Sequence, residues 1–205
     1  MDGLTIRRAT DRDTQRIAEI LAGEPGREAT AICGGVGPAR RFGMGFVRLH
    51  DSPQGWPRTT VAETGGRVVG IIQAGHQTEE FRLTPAVAFL ALRAFGPVRL
   101  VGVARRLQAR ARVQTHAPAG TYHVSELDVD PGLRNQGIGG ALLDWAEGEA
   151  RVGGHKVMSL STTTDNPARR LYERHGFRVT ETLTDPEYER ITGISGRYLM
   201  IKDLD

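Results

Sequence analysis

The stretch Glu126-Leu-Asp-Val-Asp-Pro-Gly-Leu-Arg134-Asn-Gln-Gly137-Ile-Gly139-Gly140-Ala-Leu-Leu143 decides the fold. Residues Thr121–Val129 read as a strand, Asp130-Pro131-Gly132 ends it, and Gly137–Val152 is an amphipathic helix with Leu142, Leu143, Trp145, Ala146 and Ala150 inward. A strand that passes through a glycine-bearing turn into a helix leaves several backbone N–H groups unpaired at the helix N-terminus, a ready site for phosphate. Two phosphate-binding patterns fail at single residues. A dinucleotide fingerprint needs G-x-G-x-x-G, and Leu142 stands at its third glycine. A P-loop needs Lys after its second glycine, and Ile138 follows Gly137.

Outward from this unit, Val157–Ser161 reads as a short buried strand, and Asn166-Pro167 opens a helix to Arg174 that His175-Gly176 stops. Phe177–Thr182 and Arg197–Lys202 read as closing strands. Upstream, Leu4–Arg8 is a strand, and Asp11 or Asp13 caps a helix ending at Leu21. Gly23–Pro38 reads as loop and Arg40–His50 as a second helix. Thr59–Glu63 and Val68–Gln73 flank Gly65-Gly66 as a hairpin. Residues 79–115 read as a broken helical insert, apolar on every side over Ala86–Ala94 and interrupted at Gly96-Pro97. No repeat or linker divides the chain, so a single domain over residues 1–205 is expected.

Arg134-x-x-Gly137-x-Gly139, after a strand ending in Val129-Asp-Pro, resembles the acyl-CoA-binding signature of the GCN5-related N-acetyltransferases (GNAT). A second match follows downstream: Asn166-Pro-Ala-Arg-Arg-Leu-Tyr172-Glu-Arg-His-Gly-Phe177 is similar to the family's next helix. The resemblance covers residues 3–22, 59–76 and 121–202. It implies an α/β GNAT fold, a mixed and mostly antiparallel sheet flanked by helices. It also implies transfer of an acetyl group from acetyl-CoA (coenzyme A) directly to a primary amine, with no metal. By resemblance, Arg134, Asn135, Gln136, Gly137, Ile138, Gly139 and Gly140 hold the cofactor pyrophosphate. Backbone of Leu127, Asp128 and Val129 lines the thioester and pantetheine, with amides of Leu127 and Val129 donating. Asn166 contacts the pantetheine arm and also suits a helix N-cap. Tyr172 reprotonates the leaving thiolate.

Two residues compete for the general base. His123 lies six positions before Val129, where relatives place a base, and an imidazole titrates in a useful range. Glu126 is the second candidate. It has the opposite strand parity from His123 unless a bulge lies between them, so parity leaves the choice open. Cys33, the single cysteine, sits in a Gly-rich stretch without an adjacent base and is expected to be a spare thiol.

The charge of +3 comes from 27 basic and 24 acidic residues, and the basic ones are 25 Arg and two Lys, the bias of a G+C-rich coding genome. Between Phe81 and Ser125 there are seven Arg (82, 93, 99, 105, 106, 110, 112) and no acid, so the excess is confined to the insert. Three roles stay open for it: a wall of the acceptor pocket, a docking face for nucleic acid or anionic lipid, or a packing or homodimer helix pair. Few aromatics accompany the Arg, so nucleic acid and membrane are not the expected partners. Arg93, Pro97 and Arg99 interrupt the apolar run, and no spanning segment or secretory signal is expected. The expectation is a cytoplasmic bacterial enzyme acting on a small-molecule or peptide/protein amine. The alternative class is an idle acyl-CoA-binding or regulatory domain of the same fold.

Overall fold

Seven strands form one sheet in the order β1-β2-β3-β4-β5-β7-β6. The computed structural model describes residues 3–49, 52–76 and 84–204. The strands are β1 (Thr5–Arg8), β2 (Thr59–Thr64), β3 (Arg67–His76), β4 (Tyr122–Val129), β5 (Val157–Thr163), β6 (Arg178–Thr184) and β7 (Gly196–Asp203). All neighbours are antiparallel except β4 and β5. The helices are α1 (Thr14–Ala22), α2 (Arg27–Cys33), α3 (Val36–Val47), α4 (Pro85–Arg112), α5 (Ile138–Val152), α6 (Arg169–Arg174) and α7 (Pro186–Thr192). The β2–β3 hairpin turns on Gly65 and Gly66, at φ +56° and +76°, where a side chain would be strained.

Helices cover both faces. On one face, α5 packs Leu142, Leu143 and Ala146 against Val69, Ile72, Tyr122, Val124, Met158, Leu160 and Met200. On the other, Ile17 and Ala18 of α1 and Val47 of α3 close over Val61 and Ile71. Farther along that face, α4 and α7 share a small core of Ala109, Val113, Tyr188 and Ile194.

Three segments differ from the sequence expectation. The stretch read as loop holds α2 and the start of α3, separated by Gly34 at φ +75° and Gly35 at φ +139°. Seven residues are too few to be helical alone, and burial of Ile32 together with polar contacts of Glu28 holds α2 in place. The stretch between the closing strands holds α7, whose start was written in Asp185-Pro186: the Asp185 carboxylate accepts from the Tyr188 N–H at 2.8 Å. The insert is α4, whose backbone leaves helical geometry at Gly96 (φ +69°, ψ +164°). Residue Arg82 and the start of the expected insert lie outside the described residues. Among the described residues α4 is the helix long and apolar enough, by length and composition, to cross a membrane, which the interrupted run did not suggest. In the fold, its Val87, Ala94, Phe95, Val103 and Ala109 are buried, while Phe89, Leu92, Val98 and Val101 stand exposed.

Candidate active site

The site begins with a fault in β4. Gln73 of β3 lies opposite Glu126, and Ala74 lies opposite Val124, so Ser125 has no cross-strand partner. Such a bulge bends the strand and changes which residues share a face. Before it, Tyr122 and Val124 face α5; after it, Leu127 and Val129 do. His123, Glu126 and Asp128 therefore share the opposite face, resolving the parity question that the sequence left open. The bulge also marks where the sheet splits. β4 and β5 pair only from Tyr122↔Met158 to Val124↔Leu160.

Beyond that fork, the β5 side of β4 is open. The Asp130 N–H donates to the Val69 carbonyl at 2.9 Å, so alternation along the strand turns the amides of Leu127 and Val129 into the gap. The Val129 N–H donates to Asp128 Oδ1 at 2.9 Å. Arg134 bridges the same corner, from Nε to the Val129 carbonyl and from Nη2 to Asp128 Oδ1, both at 3.2 Å. Burial raises the Asp128 carboxyl, against these two donors.

The turn that follows is pinned by Asp130, whose carboxylate accepts from the Gly132 N–H at 3.1 Å and pairs with Arg16 and Arg67. Asn135 (φ +62°) and Gly137 (φ +82°) adopt left-handed backbone. Asn135 is the one residue other than glycine to do so among the described residues, and Asn tolerates it best. The first bond of α5 runs from the Ala141 N–H to the Gly137 carbonyl at 3.0 Å. The amides of Ile138, Gly139 and Gly140 thus have no partner within the helix, and its positive dipole end lies beside the end of β4, where a Cβ on Gly139 would be 3.9 Å from Val129 Cγ2. Two of the glycines also serve packing. A Cβ on Gly139 would lie 3.1 Å from Leu171 Cδ2, and one on Gly140 would lie 3.3 Å from His175 Cε1, so α6 could not seat closely on α5.

Asn166 caps the turn into α6: its Oδ1 accepts from the Ala168 N–H at 2.9 Å, and its Nδ2 donates to Thr162 Oγ1 at 2.7 Å. Tyr172, one turn on, is buried with its ring edge-on to Phe177 at 6.3 Å. Burial first, and then the charges of Glu126 and Asp128, push its hydroxyl up to about 12. It is a proton donor throughout the neutral range.

The two candidate bases differ in kind. Burial holds His123 down to about 4, and its Nδ1 hydrogen-bonds Ser159 Oγ at 2.9 Å. Burial pushes Glu126 up to about 7, opposed by the hydrogen bond that Gln54 Nε2 donates to its Oε1. A carboxylate poised near 7 is matched to proton removal at neutral pH, whereas an imidazole near 4 is a weak base.

Sequence reasoning missed a charged cluster on the same face. Glu28 Oε1 accepts from the Tyr188 hydroxyl at 2.7 Å and lies 3.1 Å from Arg110 Nε. Its Oε2 accepts from Arg197 Nη1 at 2.8 Å. The one available signal was Arg197, a charge ahead of the apolar run Tyr198–Ile201 of the closing strand. Cys33 is half-buried, and burial raises its thiol, so it is not poised as a nucleophile.

A split sheet, an anion-receptive helix start and a buried hydroxyl beside the split define an acyl-transferase fold. Residues 55–179, more than half of the chain, match the acetyltransferase (GNAT) domain family, and the chain belongs to that family. A 56-residue stretch is 45% identical to the aminoalkylphosphonate N-acetyltransferase of Salmonella typhimurium (strain LT2), covering 27% of this chain and 36% of that protein. The match therefore spans about a third of that relative's length. The whole fold is similar to the crystal structure of an acetyltransferase, with a TM-score of 0.60 and 23% identity over 98% of this chain and 100% of the other. It is similar also to the PaiA N-acetyltransferase of Thermoplasma acidophilum in complex with coenzyme A, with a TM-score of 0.59 and 14% identity over 98% and 99%.

Proposed function

We propose that this chain transfers an acetyl group from acetyl-CoA to the primary amine of a small molecule or peptide, in a direct step without a covalent enzyme intermediate. The observation that carries the reading is the fork between β4 and β5, with two amides turned into it and the free helix N-terminus at its mouth. Bound acetyl-CoA supplies the activated acetyl thioester. The amides of Ile138, Gly139 and Gly140, with Arg134, hold its pyrophosphate, and Asn135, Gln136 and Gly137 shape the turn that presents them. Leu127 N–H donates to the thioester carbonyl, where negative charge develops, and Val129 N–H, exchanging Asp128 Oδ1 for the ligand, orients the arm together with the backbone of Asp128. Asn166 meets that arm at the start of α6.

Glu126 is the general base. It takes a proton from the acceptor ammonium, freeing the nitrogen lone pair to bond the acetyl carbon as the carbon–sulfur bond breaks. Tyr172 gives its proton to the departing sulfur, the second proton shed by the nitrogen as it becomes an amide restores the Tyr172 hydroxyl through water, and Glu126 releases its proton to solvent. His123, neutral and tied to Ser159, supports the strand at the fork. A bacterial cytoplasm and a homodimer through the exposed apolar residues of α4 complete the proposal; the Salmonella relative and that exposed surface support them.

Thiol release from acetyl-CoA, measured across a panel of amines, tests the reading. Amine-dependent release is expected from the native chain, and Gly137→Val, which strains a left-handed position at the pyrophosphate turn, abolishes coenzyme A binding in calorimetry. Undiminished binding by that variant removes the turn from the site.

A further inference from the structure

We infer that the acceptor carries an anionic group, a carboxylate or a phosphonate, at the end away from its amine, and that Arg110 and Arg197 bind it. This rests on the transferase reading above and names the substrate class for the same site. The placement comes from the register. Ser159 pairs with His123 in the middle of the short β4–β5 ladder and hydrogen-bonds it, and Ser161 and Thr163 continue that face. Arg197 lies opposite Thr163 on β7 and so shares the face of His123, Glu126 and Asp128. Its Nη2 reaches the carbonyl of Ser161 at 3.4 Å, the first β5 residue past the last β4–β5 pair. The guanidinium therefore sits on the β5 side of the fork, with Glu126 on the β4 side. Arg110 arrives from α4 and is tied to the same spot through Glu28.

Charge then selects the ligand. Two guanidiniums share one carboxylate, and both oxygens of that carboxylate are already taken by Arg110, Arg197 and the Tyr188 hydroxyl. Among the described residues, no other Asp or Glu forms an ion pair with either Arg. Glu126 acts on both only through space, without an ion pair, so one guanidinium lacks an ion-pair partner of its own in a mostly buried place: the Arg197 side chain is 11% exposed and Arg110 25%. Arg197 Nε is buried without any hydrogen-bond partner. An uncompensated buried charge is costly, and a ligand anion supplies the missing partner. Across the fork Glu126 receives the ammonium, so the site is complementary to a molecule bearing an amine at one end and an anion at the other. A diamine would set its second cation against the excess charge.

The test compares 3-aminopropylphosphonate and β-alanine with propylamine and 1,3-diaminopropane in the thiol-release assay. The anionic amines are expected to show kcat/KM about 10-fold to 100-fold above propylamine, the range of a charge-assisted hydrogen bond. The diamine falls below propylamine. Arg110→Gln brings the anionic amines down to the propylamine level, and Arg110→Lys restores part of the preference. Arg110 is chosen over the more deeply buried Arg197, and thermal unfolding monitored by circular dichroism verifies that each variant folds. Release that is equal or better with propylamine or the diamine overturns the substrate class while leaving the transferase reading intact. Release with none of the amines overturns both.

Discussion

Replacing Glu126 with Gln keeps the size of the side chain and a hydrogen-bonding oxygen for Gln54, and removes the titration. In the folded chain Glu126 holds its proton up to about 7, whereas in the unfolded chain a glutamate ionises near 4.3. Between those values the folded state binds more protons than the unfolded one. Stability therefore falls as pH rises through this window and levels off above 7. A displacement of that size corresponds to about 4 kcal/mol over the full titration, of which about 3 kcal/mol falls between pH 4.5 and 8. Glu126→Gln escapes the loss, because the amide is neutral throughout. Urea unfolding of both proteins at pH 4.5, 6, 7 and 8 isolates the effect, since titrating groups that do not interact with Glu126 cancel in the difference, and its coupled neighbour Asp128 adds a smaller change. The variant should gain about 2–3 kcal/mol on the native chain between the ends of that series. The same variant should lose about 100-fold or more in kcat/KM, together with the rise in rate centred near pH 7. A stability difference independent of pH would refute the buried carboxyl. A variant that keeps the midpoint near 7 would refute its role as base.

Tyr172→Phe should lower kcat by about 10-fold to 1000-fold while the Kd for coenzyme A stays nearly constant, because the hydroxyl acts on the leaving sulfur; stopped-flow thiol release and calorimetry read the two separately. His123→Gln should leave the pH midpoint of the rate in place. It should also protect the fold in acid, because a histidine held down to about 4 costs the native chain stability as pH falls from about 6.5 through 4; acid-unfolding curves of variant and native chain supply the comparison. Gly196→Ala should cost more than about 3 kcal/mol, because its Cβ would sit 1.9 Å from the Leu183 carbonyl oxygen and only backbone movement relieves that clash; a loss in urea unfolding below about 1 kcal/mol would show that β6 and β7 yield more easily than the packing implies.

The strand–turn–helix at Glu126–Leu143 was legible because its chemistry is local. Glycines, a proline and an apolar stripe at helical spacing fall within eighteen residues, and the observed elements follow their order. The hairpin and α5 were legible for the same reason. Helix α2 was not, since it is short and owes its place to Glu28 meeting Tyr188, Arg110 and Arg197, partners more than 80 positions away in sequence. Helix α7 was legible in principle through Asp185-Pro186 and was overlooked. The choice between His123 and Glu126 could not be made from the strand alone. It depends on Ser125 falling outside the register with β3, and on how deeply each group is buried.

That serine outside the register separates two properties that a regular strand would lock together. The inward-facing apolar residues of β4 fall on even numbers before Ser125 and on odd numbers after it, so the strand changes reading frame at one residue. Removing Ser125 would leave each remaining side chain on its present face, with Glu126 still toward the acceptor. It would take away the bend that parts β4 from β5. The facing of the side chains and the width of the opening are thus set separately, and a single-residue change in strand length would close the split and take the Leu127 and Val129 amides away from the acyl group while Glu126 kept its place.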